Sequence, residues 1–256
     1  MCRHLAWVGA PRSLAEVVLD PPFGLLRQAY APREQRHGTV NADGFGVGWY
    51  APDVRPEPAR YRRGQPLWTD RSFASLAPVV RSTCVLAAVR SATHPFASDE
   101  AGAAPFTAGP WLFSHNGALG DFAGAAADLR AHLPAGASAA VEAPTDSALL
   151  WAMTRHRLES GEPMGDALAG VVADTLAVTG GRLNLLLTDG HRVAATRCGD
   201  TLYTRADGEG VLVASEPSDD DGAWTAVPDG TVLVADHDSL DLQPLHPQPA
   251  PAGGQP

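Results

Sequence analysis

Cys2 follows the initiator methionine, and removal of Met1 would leave a thiol and a free α-amine on one residue. Their ordinary pKa values are closely matched, about 8.5 for the thiol and about 7.7 to 8.0 for the amine. The amine can therefore take the thiol proton near neutral pH, so that one residue supplies both nucleophile and base. The competing reading is an incidental small residue at position 2. In Ser114-His115-Asn116-Gly117 a side-chain amide and the following backbone N–H could point at one oxygen and stabilise an oxyanion, or the Asn-Gly pair could make a hairpin turn. In Arg90-Ser91-Ala92-Thr93-His94 the guanidinium could grip a carboxylate through two parallel hydrogen bonds, with Thr93 and His94 adding to it. Alternatively, Arg90 caps a strand end beside a surface histidine. Asp146 could bind an ammonium group and cap a helix at the same time.

The elements that must position these residues follow from hydrophobic patterning. Residues Arg3 to Gly9 read as a strand that begins directly after Cys2, and Leu14 to Leu19 as a short helix stopped by Pro21-Pro22. Cys84 to Arg90 and Trp111 to His115 are apolar runs of strand length that end in the polar residues above. The run Asn41-Ala42-Asp43-Gly44-Phe45-Gly46-Val47-Gly48-Trp49-Tyr50 alternates small with large residues, as a strand does where backbone must approach something closely. Prolines 52, 56 and 58 follow it, so it does not open a helix and is a poor dinucleotide loop. Helices are expected over Asp121–Leu133 and Asp146–Leu158, the second starting at acceptor side chains in Thr145-Asp146-Ser147. From Arg182 onward short strands alternate with turn signals, which reads as an antiparallel meander. Strands, then helices, then strands indicate an α+β sandwich rather than a doubly wound sheet.

With 256 residues, 45% of them hydrophobic, the chain can bury a sizeable core, and one domain over residues 1–243 is expected, followed by a disordered Pro-rich tail over 244–256. The net charge of −10 and the short, interrupted cluster Arg60, Arg62, Arg63 argue against nucleic acid or an anionic membrane as partner. Cys2, Cys84 and Cys198 are widely spaced and form no CxxC pair, which suggests neither a disulfide framework nor a thiolate zinc site. His237 with Asp236, Asp238 and Asp241 has ligating atoms but no second cluster and reads as a surface loop. No metal and no cofactor is therefore expected. The start of the chain lacks an apolar signal core, no stretch approaches a membrane span, and a cytoplasmic protein is the expectation.

Taken together, Cys2, the run from Asn41 to Gly46, Arg90 to His94, His115-Asn116-Gly117 and Thr145-Asp146-Ser147 resemble the glutaminase domain of class II glutamine amidotransferases, which are N-terminal-nucleophile hydrolases. The resemblance covers roughly the first 215 residues. It implies a four-layer αββα sandwich, with Cys2 as nucleophile and Asn116 and Gly117 as oxyanion hole. It also implies that Arg90, with Thr93 and His94, holds a glutamyl α-carboxylate and that Asp146 holds the α-ammonium. Reaction would run through a γ-glutamyl thioester on Cys2. Where many relatives have Gly after the Arg motif, this chain has Pro95-Phe96, and Pro95 restricts His94 to an extended conformation.

The chain leaves no room for a synthase domain after the meander, so free-standing hydrolysis of a small-molecule γ-glutamyl substrate is expected. Leu19-Asp20-Pro21-Pro22, Tyr30-Ala31-Pro32-Arg33, Arg36-His37-Gly38, Pro66 to Asp70 and Ala214-Ser215-Glu216-Pro217 resemble a branch of γ-glutamyl amidohydrolases that act on a sulfur-bearing conjugate of trimethylated histidine. Trp7, Trp49, Tyr50, Trp68 and Trp224 could stack on such a leaving group, with core packing as the competing use for at least half of them. Two other expectations stand beside this one: a glutaminase subunit that feeds ammonia to a separate synthase, and a non-catalytic protein that binds γ-glutamyl compounds.

Overall fold

The computed structural model describes residues 2–92, 99–139 and 141–245. Two antiparallel sheets dominate it. Their strands in chain order are β1 (Arg3–Ser13), β2 (Phe45–Trp49), β3 (Ala59–Arg63), β4 (Arg81–Val89), β5 (Phe106–Ala108), β6 (Trp111–Leu119) and β7 (Gly181–Thr188). There follow β8 (Val193–Arg197), β9 (Tyr203–Ala206), β10 (Gly210–Ala214), β11 (Thr225–Ala226), β12 (Thr231–Ala235) and β13 (Leu240–Pro244). The helices are α1 (Leu14–Val18), α2 (Leu25–Gln28), α3 (Arg71–Leu76), α4 (Phe122–Ala131), α5 (Ala135–Ala139), α6 (Asp146–Glu159) and α7 (Met164–Val178).

One sheet runs β11-β9-β10-β1-β4-β2-β3 and the other β13-β12-β8-β7-β6-β5. The buried apolar side chains divide accordingly. Leu5, Trp7, Val85 and Val89 pack with Leu14, Val18 and Phe73 from the helices outside the first sheet. Ala6, Val8, Leu86, Leu112, Leu186 and Val213 pack between the sheets. Phe113, Leu185 and Leu187 pack with Leu149, Met153, Leu168 and Val171 from α6 and α7. Three apolar layers separate four layers of secondary structure, so the molecule is a four-layer αββα sandwich, as expected from the sequence.

β1 pairs with β10 (Leu5↔Ala214) on one side and β4 (Leu5↔Ala87) on the other, and it has apolar residues on both faces because helices cover one and the second sheet the other. Side chains alternate along a strand. His4, Ala6 and Val8 therefore face the second sheet, and Cys2, one step earlier with the same parity, starts on that inner face. The sheets approach closely at Gly48 of β2, where an added Cβ would lie 2.6 Å from Leu112 Cδ1 of β6. The Gly-rich run thus serves sheet-on-sheet contact.

Two expectations need correction. The strand starting at Trp111 continues to Leu119, so Asn116 and Gly117 sit inside β6, paired with Asn184 and Leu183, and make no hairpin turn. The strands after Arg182 are not one meander: β7 and β8 join the second sheet, β9 and β10 cross to the first, and β12 and β13 return to the second. Turn signals mark where strands end, not which sheet they enter. A helix not expected from the sequence, α7, also covers the second sheet.

β13 extends to Pro244, and Leu245 N–H donates to the Gly230 carbonyl at 2.7 Å. Residues 246–256 of the expected tail lie outside the described residues. Among the described residues no helix is long and apolar enough to cross a membrane.

Candidate active site

Cys2 is partly exposed and lines a small cleft together with Arg90, Gly102, Gly117, Asp146 and Ser147. These residues arrive from β1, the end of β4, the loop before β5, β6 and the start of α6. An adjoining hollow, also reached by Cys2, Arg90 and Ser147, is walled by Ala88, Phe106 and Ser114. The expected nucleophile, cationic clamp and anionic anchor therefore share one cavity. Thr93 and His94 lie outside the described residues, as does Met1.

Arg90 is buried at the strand end and is held by the start of the Gly-rich segment. The Asp43 N–H donates to the Arg90 carbonyl at 2.9 Å, and Asp43 Oδ2 accepts the Ala92 N–H at 2.8 Å. The guanidinium lies flat against Gly102, where an added Cβ would be 3.0 Å from its Cζ. Asp43 and Gly102 thus fix the direction of Arg90. An aspartate in a Gly-rich run and a lone glycine in a loop signal nothing of that kind in sequence.

Asp146 opens α6 behind the N-cap Thr145, whose hydroxyl accepts the Ala148 N–H at 3.2 Å. Its carboxylate takes the Ser147 N–H on Oδ1 at 2.7 Å and the Leu119 N–H on Oδ2 at 3.2 Å. The second bond ties the helix start to the end of β6. A positive guanidinium and a carboxylate lining one cavity suit a zwitterion, such as the α-carboxylate and α-ammonium of an amino acid.

Asn116 is fully buried, and its Nδ2 donates to Ser215 Oγ at 3.3 Å. The same oxygen accepts the His4 N–H at 3.0 Å, and the Ser215 N–H donates back to the His4 carbonyl at 2.9 Å. Asn116 is thereby fastened to the nucleophile strand, with one amide hydrogen still uncommitted to Ser215. Gly117 lines the cavity directly. An added Cβ there would collide with the Arg182 carbonyl oxygen and lie 2.6 Å from His115 Nε2, so only glycine fits.

Histidines flank Cys2 on both sheets. His4 is fully buried with Nδ1 3.2 Å from Ser114 Oγ, and burial, reinforced by His115 and Arg3, pushes its pKa down to about 3. His4 is thus a neutral ring at physiological pH. Beside it, Arg3 is buried 3.7 Å from the equally buried Glu216, which also accepts the Arg33 and Glu34 N–H groups at 3.0 and 2.8 Å. That carboxylate fastens the segment after α2 to the nucleophile strand. Desolvation lowers the Arg3 pKa, against which the Glu216 charge raises it.

Of the aromatic candidates, Trp7 and Tyr50 are buried in the core, whereas Trp68 is exposed and meets Tyr30 edge to face, ring centroids 5.9 Å apart. Arg60 and Arg62 reach towards Glu142 at 3.9 and 3.7 Å. Cys84 is buried, its thiol pushed up to about 12, and Cys198 is a free thiol. Among the described residues no group of His, Cys, Asp and Glu could hold a metal ion.

Residues 14–207 match the family model described as "Glutamine amidotransferases class-II". The chain is 47% identical over 230 residues to a γ-glutamyl-hercynylcysteine sulfoxide hydrolase of Mycolicibacterium smegmatis, covering 90% of this chain and 93% of that protein. It is 44% identical over 246 residues to the like-named hydrolase of Mycobacterium tuberculosis, covering 96% of this chain and 97% of that one. Among solved structures, a glutamine aminotransferase class-II domain protein from Silicibacter pomeroyi superimposes with a TM-score of 0.67 at 24% identity, covering 96% of this chain and all of that one.

Proposed function

The chain belongs to the class II glutamine amidotransferases, and from that premise we propose that it is a hydrolase that releases glutamate from γ-glutamyl-hercynylcysteine sulfoxide in ergothioneine biosynthesis. The observation that carries this reading is the single cleft shared by Cys2, Arg90, Gly117 and Asp146. Its complementarity is to a γ-glutamyl head with free α-carboxylate and α-ammonium, and the full-length relatives supply the leaving group by their names.

In this mechanism Arg90, aided by Thr93 and His94, holds the α-carboxylate and Asp146 the α-ammonium, which sets the γ-carbonyl over Cys2. The thiol passes its proton to the α-amine of Cys2 as sulfur attacks the carbonyl carbon. The Gly117 N–H and the free hydrogen of the Asn116 amide meet the developing oxyanion. Collapse breaks the C–N bond, the departing amine takes the proton, and a γ-glutamyl thioester remains on Cys2. Water attacks the thioester, glutamate leaves, and the thiol is regenerated.

The test is direct. Intact mass should show loss of Met1, and the purified protein should release stoichiometric glutamate and hercynylcysteine sulfoxide from the conjugate. Cys2→Ala should release none. Glutamate release by Cys2→Ala at the rate of the unsubstituted protein would overturn the assignment.

A further inference from the structure

Ser147 lines the cavity beside Cys2, Arg90 and Asp146, and its neighbours fix where its hydroxyl proton points. His115 Nε2 lies 2.9 Å from the Arg182 carbonyl oxygen, an atom that can only accept, so Nε2 carries the ring hydrogen. In the neutral ring Nδ1 is then a bare acceptor, 3.0 Å from Ser147 Oγ, and the hydroxyl proton goes to it. The other acceptor within reach, Asp146 Oδ1, is farther away at 3.3 Å and already takes the Ser147 N–H at 2.7 Å. With its proton committed to His115, Ser147 Oγ can only accept a hydrogen bond from anything in the cleft. It stands next to a carboxylate that likewise only accepts. Two adjacent acceptors of this kind match a group with several N–H donors and a positive charge.

We propose that Ser147 is a further substrate-binding residue, its Oγ accepting an N–H of the glutamyl α-ammonium beside Asp146, with His115 as the positioning residue that fixes its proton. This rests on the γ-glutamyl reading above and adds a second ammonium contact to it. Loss of the His115 acceptor would let the Ser147 hydroxyl turn to Asp146, which would satisfy the carboxylate internally and weaken its hold on the ammonium.

Glutamate and glutarate differ in the α-ammonium alone, so their dissociation constants, measured by ligand titration in NMR, isolate this contact from folding and from chemistry. Ser147→Ala should weaken glutamate binding about tenfold, the scale of a hydrogen bond to a charged group, and leave glutarate binding within about twofold. Ser147→Thr should restore glutamate binding. His115→Asn, which can place an oxygen where Nδ1 stands, should retain the discrimination between the two ligands, and His115→Leu should reduce it. Equal weakening of both ligands by Ser147→Ala, or none, overturns the proposal. Failure of the unsubstituted protein to hydrolyse the conjugate would instead count against the substrate assignment, since the binding comparison does not depend on turnover.

Discussion

Asn116 Nδ2 donates to Ser215 Oγ, the oxygen that also accepts the His4 N–H, so one hydroxyl joins the β6 amide to the strand that begins at Cys2. Ser215→Ala leaves both donors without that acceptor in a buried place. We expect a stability loss of about 1 to 3 kcal/mol in urea denaturation. The turnover number should fall about tenfold with little change in KM, because the Asn116 amide loses its orientation while the glutamyl clamp stays intact.

Gly117→Ala should be more severe. The new methyl would meet the Arg182 carbonyl, a backbone atom that cannot swing aside, and would lie 2.6 Å from His115 Nε2. The backbone N–H offered to the oxyanion must then shift, and kcat should drop on the order of 100-fold or more. Steady-state kinetics on protein whose folding is checked by circular dichroism decides the matter.

Gly102→Ala places a methyl 3.0 Å from the Arg90 Cζ and Nη2. Here the obstacle is the end of a flexible side chain, so the fold should survive while the guanidinium is displaced. KM for a γ-glutamyl substrate should rise about tenfold, and kcat should change less. An unchanged KM would show that Arg90 is not held in place by this glycine.

His4 provides a pH signature. Its folded-state pKa of about 3 lies below the ordinary value of 6.5, so between those limits the unfolded chain binds one proton more than the folded one. Stability is then complete above about pH 6.5 and falls as pH drops towards 3, by about 1.4 kcal/mol per unit. Between pH 6.5 and 5 this single ring should cost about 2 kcal/mol. His4→Asn, which cannot take up the proton, should reduce the stability difference between pH 7 and pH 5 by that amount in urea titrations.

The candidate residues that share the cleft are those carried by strong local signals. The strand after Cys2, the polar ends of the runs at Cys84 and Trp111, and the helix opening at Thr145-Asp146 all follow from patterns within a few residues, and the cleft assembles from those ends. Long-range relationships were not legible. Ser215 reaches Asn116 across 99 positions of sequence and His4 across 211, and a serine at a strand end announces neither partner. Asn116-Gly117 carries a turn signal that β7 overrides by pairing with β6 from Leu112 to Leu119. The crossing of β9 and β10 to the other sheet depends on which edges are open in the folded core, and no residue type encodes that.

The close approach of the sheets at Gly48 acquires meaning in this light. Cys2 and Arg90 adjoin strand ends of one sheet and Asn116 and Gly117 lie in the other, so the working distance at the cleft is a calliper reading of the gap between two stiff plates. Gly48 and Leu112 meet across that gap, Leu112 four residues along β6 from Asn116. A methyl wedged there would open the jaws of the calliper, and turnover would register a change in thickness that neither plate would show alone.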